Sequence, residues 1–107
     1  MSDWTDVAKQ DEMRPGEYRV VDVDDVDIAV FNVDGTFYAI EDVCTHDGGQ
    51  LTGGTIEGDC VTCPRHGAQF CIRTGEALTP PAYEPTETFP VRVNEDGWIQ
   101  VRDPRWD

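Results

Sequence analysis

The chain has 107 residues and a formal net charge of −14, with 22 Asp and Glu against 8 Lys and Arg. A field of that sign repels phosphate backbones and anionic lipid surfaces, so neither nucleic acid nor a membrane is expected as a partner. A hydrophobic fraction of 38%, with 3 Trp, 3 Tyr and 4 Phe, is too high for intrinsic disorder, and the length predicts a single domain over 1–107. Met1 to Asp6 is neither basic nor apolar, and no apolar run is long enough for a bilayer, which predicts a soluble, cytoplasmic, monomeric protein. The acids are mostly Asp and Lys9 is the only lysine, a pattern that fits an ordinary solvated surface as well as adaptation to high salt.

Period-2 alternation in short β-rich runs dominates, and no sustained helical stripe occurs, so the fold class expected is all-β. In chain order, a first strand is expected over Trp4 to Ala8, then a polar turn at Arg14-Pro15-Gly16 and a second strand over Glu17 to Val23. Asp24-Asp25 is a turn, and Asp27 to Val33 and Thr36 to Glu41 flank Asp34-Gly35, the strongest hairpin signal in the chain. Glu87 to Val93 and Trp98 to Arg102 form another hairpin through Asn94-Glu95-Asp96-Gly97. The three tryptophans, Trp4, Trp98 and Trp106, read as core or edge packing rather than an electron relay.

Between the hairpins the texture changes. Residues 44–81 contain all four Cys, both His and seven of the ten Gly, a loop-rich subdomain over about 43–81. Glycine buries no side chain and loses the most entropy on ordering, so a metal centre is expected to hold this segment where hydrophobic burial does not. Gly48-Gly49, Gly53-Gly54 and Gly67 are read as permitting tight loops and close backbone approach, so that amide N–H groups reach the centre; no Walker-type lysine follows to make them a phosphate cradle.

The chemistry lies in Cys44-Thr45-His46 and Cys63-Pro64-Arg65-His66, a Cys-x-His-x16-Cys-x-x-His pattern. Two Cys and two His suit a tetrahedral zinc ion or an iron-sulfur cluster with thiolates on one iron and imidazoles on the other. Zinc fingers pair Cys on one arm and His on another, whereas here each arm carries one of each. That arrangement favours a dinuclear core and leaves zinc open. Cys60 and Cys71 face each other if 59–62 and 69–72 form a hairpin; buried free thiols are expected over a disulfide.

These two boxes, with Cys63-Pro64-Arg65-His66-Gly67-Ala68-Gln69-Phe70 continuing through Arg73-Thr74-Gly75 and Pro80-Pro81, resemble those of Rieske [2Fe-2S] proteins, and the resemblance covers most of the chain. It implies an antiparallel β-sandwich base with a small cluster-binding subdomain, and one [2Fe-2S] cluster per chain. It further implies Cys44 and Cys63 on the inner iron and His46 and His66 on the outer, redox-active iron. Rieske proteins of quinol-oxidising cytochrome complexes carry an extra Cys in each box, joined as a disulfide; the matching positions are Gly49 and Arg65, so that bridge cannot form. Ala68 and Phe70 stand where those proteins have hydroxyl donors to the cluster sulfurs. Their absence disfavours the reduced state and predicts a potential toward the negative end of the Rieske range of roughly −150 to +300 mV. Deprotonation of the imidazoles would lower it further as pH rises.

The resemblance is closest to the ferredoxins of aromatic-ring dioxygenase systems. It implies a one-electron carrier, not itself an enzyme, passing electrons from a flavin- and NAD(P)H-dependent reductase to an oxygenase. The alternatives are an electron-transfer or redox-sensing subunit of another oxidoreductase, or a zinc-stabilised interaction module. Within 44–75 only Asp47, Glu57 and Asp59 are acidic, against Arg65 and Arg73, so the negative surplus lies mainly elsewhere and steers transient encounters while a near-neutral tip makes contact. Gln50 and Leu51 are expected in an apolar rim around the imidazoles.

Overall fold

The computed structural model describes residues 4–45, 48–65, 67–80 and 82–104. Its strands are β1 (Thr5–Lys9), β2 (Tyr18–Val23), β3 (Val26–Val33), β4 (Thr36–Glu41), β5 (Ile56–Glu57), β6 (Cys60–Thr62), β7 (Gln69–Cys71), β8 (Thr88–Phe89), β9 (Val91–Val93) and β10 (Trp98–Val101). They form antiparallel sheets of order β2-β3-β4-β8, β1-β10-β9 and β5-β6-β7. The expected all-β architecture is what forms. Among the described residues no α-helix occurs, and no helix is long and apolar enough to cross a membrane.

The central sheet is built by two consecutive tight hairpins. Asp24 and Asp25 take φ of 52° and 67°, and Asp34 and Gly35 take 52° and 91°, the left-handed pair whose twist matches the strands on either side. Local side chains fix both turns: Asp22 Oδ1 accepts from the Asp25 amide at 3.1 Å, and Asn32 Oδ1 from the Gly35 amide at 2.8 Å. Asn32 is buried, and its Nδ2 donates to the Met13 carbonyl at 2.7 Å, tying the segment before β2 to the sheet.

Strand β3 is covered on both faces. Ile28 and Val30 join a core with Met13, Phe89, Ile99 and Val101, between the central sheet and β1-β10-β9. Ala29 and Phe31 point the other way, into a second core with Ile40, Leu51, Phe70 and Ile72, under the β5-β6-β7 subdomain. The unbroken apolar run Ile28-Ala29-Val30-Phe31 follows from this double burial, since alternation is needed only where one face meets water. The glycine-rich segment is therefore anchored by hydrophobic burial as well, contrary to the expectation that a metal centre alone would hold it.

Five of the six expected strands differ in their bounds: β2 starts at Tyr18 rather than Glu17, and β3 at Val26 rather than Asp27. The first strand starts one residue later and bulges between Asp6 and Ala8, and an unforeseen 3-10 turn, Gln10–Glu12, follows it. The strand expected over Glu87 to Val93 divides at Pro90: β8 pairs with β4, and β9 pairs with β10 in the other sheet. Proline has no N–H to give a ladder, so the chain turns the sandwich corner there. The final strand ends at Val101 rather than Arg102. Its hairpin turn is set by Asn94, whose Oδ1 accepts from the amides of Asp96 at 3.0 Å and Trp98 at 2.9 Å. A polar chain crosses the outer sheet, with Arg92 Nε donating to Gln100 Oε1 at 2.8 Å and Gln100 Nε2 to Asp6 Oδ1 at 2.6 Å. Trp4 and Trp98 lie beneath Arg92 at 4.2 Å and Lys9 at 5.3 Å, Trp98 on the middle strand of this sheet; Trp106 lies outside the described residues.

Candidate metal centre

Cys44 follows the end of β4 and Cys63 follows β6, and each opens a loop of the same construction. In the first, the Gly48 amide donates to the Cys44 carbonyl and the Cys44 amide to the Gly49 carbonyl, both at 2.7 Å. In the second, the Gly67 amide donates to the Cys63 carbonyl at 3.1 Å and the Cys63 amide to the Ala68 carbonyl at 2.7 Å. Gly48 and Gly67 occupy the same place in each loop with φ of 74° and 75°, a backbone region that glycine enters without a Cβ penalty. Gly48 and Gly67 thus permit the tight loops expected of them, while their own amides are spent on the Cys44 and Cys63 carbonyls. Cys44 and Cys63 are 0% and 2% exposed and belong to the same buried cluster. His46 and His66, read from the sequence as the other ligands, lie outside the described residues.

The first loop is clamped by Asp42, a residue the sequence reading passed over. Its buried carboxylate accepts through Oδ1 from the amides of Leu51 at 2.9 Å and Thr52 at 2.8 Å, and through Oδ2 from the Thr52 hydroxyl at 2.7 Å. Gln50 Nε2 donates to that hydroxyl oxygen at 2.8 Å, extending the chain. Leu51, held by this clamp, is fully buried, so it belongs to the core and not to the solvent-facing rim expected for it. Among the described residues, Leu78 and Tyr83 are the large apolar side chains exposed in this part of the molecule, in the segment that Thr45 Oγ1 ties to the first arm by donating to the Glu84 carbonyl at 2.6 Å.

The two loops are also braced against each other. Arg65 Nη1 donates to the Gln50 carbonyl at 2.9 Å, and its guanidinium lies over Gly49 so closely that a Cβ there would come within 2.6 Å of Cζ. Where the sequence resemblance sets Gly49 and Arg65 in place of an interloop disulfide, a guanidinium joins the two loops. Arg65→Ala removes about 1 kcal/mol of interloop bonding, and loss of visible absorbance on heating is expected to run several-fold faster. Arg65→Lys is not expected to restore the rate, because an ammonium lacks the planar fork.

Phe70 and Ala68 are both fully buried beside the two Cys, so neither position brings a hydroxyl to the sulfurs. A shallow depression bordered by Gly53, Thr55, Thr62, Cys63, Pro64 and Gly67 flanks the second loop. Two buried thiols on equivalent loops, each loop carrying one His in sequence, with an open glycine-lined face beside Cys63, fit a dinuclear cluster of mixed Cys and His ligation.

Comparison with known proteins agrees with this fit. The family model described as the Rieske [2Fe-2S] domain matches residues 3–90. The chain is 43% identical over 91 residues to the biphenyl dioxygenase ferredoxin subunit of Pseudomonas sp. (strain KKS102), covering 84% of each. It is 48% identical over 90 residues to the 3-phenylpropionate/cinnamic acid dioxygenase ferredoxin subunit of Escherichia coli (strain K12), covering 83% of each. Among solved structures, it is similar to a chain in the complex of reduced oxygenase and oxidised ferredoxin of carbazole 1,9a-dioxygenase, with a TM-score of 0.86, 39% identity, and 92% of this chain and 91% of that one covered.

Proposed function

Because the chain belongs to the Rieske [2Fe-2S] domain family, we propose that it is a one-electron carrier, working as one unit over 1–107, that links a flavin-containing NAD(P)H-dependent reductase to an aromatic-ring oxygenase. The observation that carries this reading is the matched pair of loops headed by Cys44 and Cys63. The reading assigns Cys44, His46, Cys63 and His66 as the ligands of one [2Fe-2S] cluster. The cluster, when bound, accepts and returns a single electron. The relatives named as ferredoxin subunits support the assignment to an oxygenase system, and the solved ferredoxin with an oxygenase supports the partner.

The protein's own residues prepare this role in three ways. Each Cys has its backbone N–H and C=O consumed in closing its loop, so the sulfurs sit on short, cross-braced turns with little freedom to reorganise. Asp42 holds the far end of the first loop and Arg65 holds the two loops together. Ala68 and Phe70 themselves offer no hydroxyl to the sulfurs, which disfavours added negative charge. A redox titration should therefore place the potential in the lower part of the range of roughly −150 to +300 mV, and a value above about +150 mV would contradict this account of Ala68 and Phe70.

Docking is assigned to the end of the molecule carrying the two loops, where Leu78 and Tyr83 are 43% and 81% exposed. The charge of −14 steers a transient encounter with a basic patch on each partner, in keeping with a monomeric cytoplasmic carrier. The test is reconstitution: the protein, reduced through NADH and a flavin reductase, is mixed with an oxidised dioxygenase of the biphenyl or phenylpropionate type. Rapid reoxidation that slows as salt is added is expected; no electron transfer to any such oxygenase would overturn the assignment.

A further inference from the structure

Cys60 and Cys71 lie outside the ligand set and are direct cross-strand partners on β6 and β7. Their place in the ladder is fixed by the neighbouring bonds. The Ile72 amide donates to the Asp59 carbonyl at 2.7 Å, which makes 59 and 72 a hydrogen-bonded pair, and the Cys71 amide turns away to the Glu76 carbonyl at 2.9 Å. In an antiparallel ladder the next pair is then a non-hydrogen-bonded one, with Cα atoms about 4.5 Å apart and side chains on the same face. That separation falls within the roughly 4.4–6.8 Å that a disulfide accepts. Both residues are partly exposed free thiols, so a small reagent can reach them.

We propose that Cys60 and Cys71 are a redox modification site, closing to a disulfide by exchange with an oxidised low-molecular-weight disulfide such as glutathione disulfide. Burial first, and the adjacent Asp59 carboxylate second, push the Cys60 thiol's pKa up, so Cys60 is a poor entering nucleophile and Cys71 meets the reagent first. The Cys71 thiolate attacks one sulfur of glutathione disulfide, forming a mixed disulfide and releasing one glutathione, which takes up the proton Cys71 lost. Cys60 then gives up its proton to solvent and displaces the second glutathione, which is protonated in turn. Two protein thiols are oxidised and one glutathione disulfide is reduced to two glutathiones. The new bond encloses residues 61–70, among them the whole loop headed by Cys63, and staples the hairpin that presents it.

The geometry of the pair does not depend on which metal the protein carries. The holoprotein is treated with glutathione disulfide, denatured under acid, alkylated with iodoacetamide and mapped by peptide mass spectrometry. The expected result is loss of both Cys60 and Cys71 from the alkylated set, a linked peptide pair lighter by two hydrogens, retention of the visible spectrum, and reversal by dithiothreitol. Cys71→Ser should abolish the linkage and leave Cys60 alkylated. Alkylation of all four cysteines after treatment, stable glutathione adducts on Cys60 or Cys71, or linkage to Cys44 or Cys63 would each overturn the proposal.

Discussion

Replacing Asp42 by alanine should destabilise the protein by about 3 kcal/mol, because it removes the acceptor of two backbone amides and a hydroxyl held in the interior. Against a total stability of about 5–15 kcal/mol that is a large fraction. The effect is directional. The stranded amides belong to Leu51 and Thr52, so the loss frees the end of the Cys44 loop and pulls Leu51 from the core shared with Phe70 and Ile72. Asp42→Asn keeps the acceptor at Oδ1 but turns the second oxygen into a donor facing the Thr52 hydroxyl, and should cost about 1 kcal/mol. Urea unfolding of the holoprotein, followed by visible absorbance, checks the order: wild type most resistant, Asn intermediate, Ala weakest. An alanine variant as resistant as wild type would remove Asp42 from the account.

Gly54→Ala should be comparably damaging for a steric reason. A Cβ built on Gly54 overlaps the backbone carbonyl oxygen of Thr62, the residue immediately before Cys63. A carbonyl in a strand cannot rotate aside as the end of a flexible side chain does, so β6 must shift and carry Cys63 with it. Overpacking of this kind costs about 3 kcal/mol, equivalent to lowering the urea midpoint by roughly 2 M for a chain of this size. Gly49→Ala is the milder comparison: its added methyl meets the end of the Arg65 side chain, which can move, so its cost should not exceed the roughly 1 kcal/mol of the Arg65 brace. Similar loss of stability and of bound iron in the two variants would show that the Gly54 contact is not what limits the fold.

These two residues show where the sequence was legible and where it was not. The hairpins at Asp24-Asp25 and Asp34-Gly35 could be read directly, because only a few residue types tolerate the left-handed backbone such turns require. The equivalence of the Cys44 and Cys63 loops was foreshadowed by one Cys and one His on each arm, although the bonds that make them alike depend on Gly48 and Gly67. Asp42 was invisible because an acid in a chain of net charge −14 reads as solvated surface, and its three donors come from residues nine and ten positions further on. Leu51, Val61, Phe70 and Ile72 were hidden for a related reason. They are scattered among glycines without periodicity, and only the packing of the subdomain on Phe31 and Ile40 gathers them into a core. The split at Pro90 had its signal in the proline itself, which a reading of continuous β-propensity overrode.

The account stands on four ligands from two arms, and the chain has only 2 His. The most direct measurement is therefore EPR and electron-nuclear spectroscopy of the dithionite-reduced protein grown with 15N-histidine. A paramagnetic [2Fe-2S] signal coupled to two histidine nitrogens, with one coupling lost in either His46→Cys or His66→Cys, is the predicted result; a colourless, EPR-silent protein holding one zinc ion per chain would contradict it.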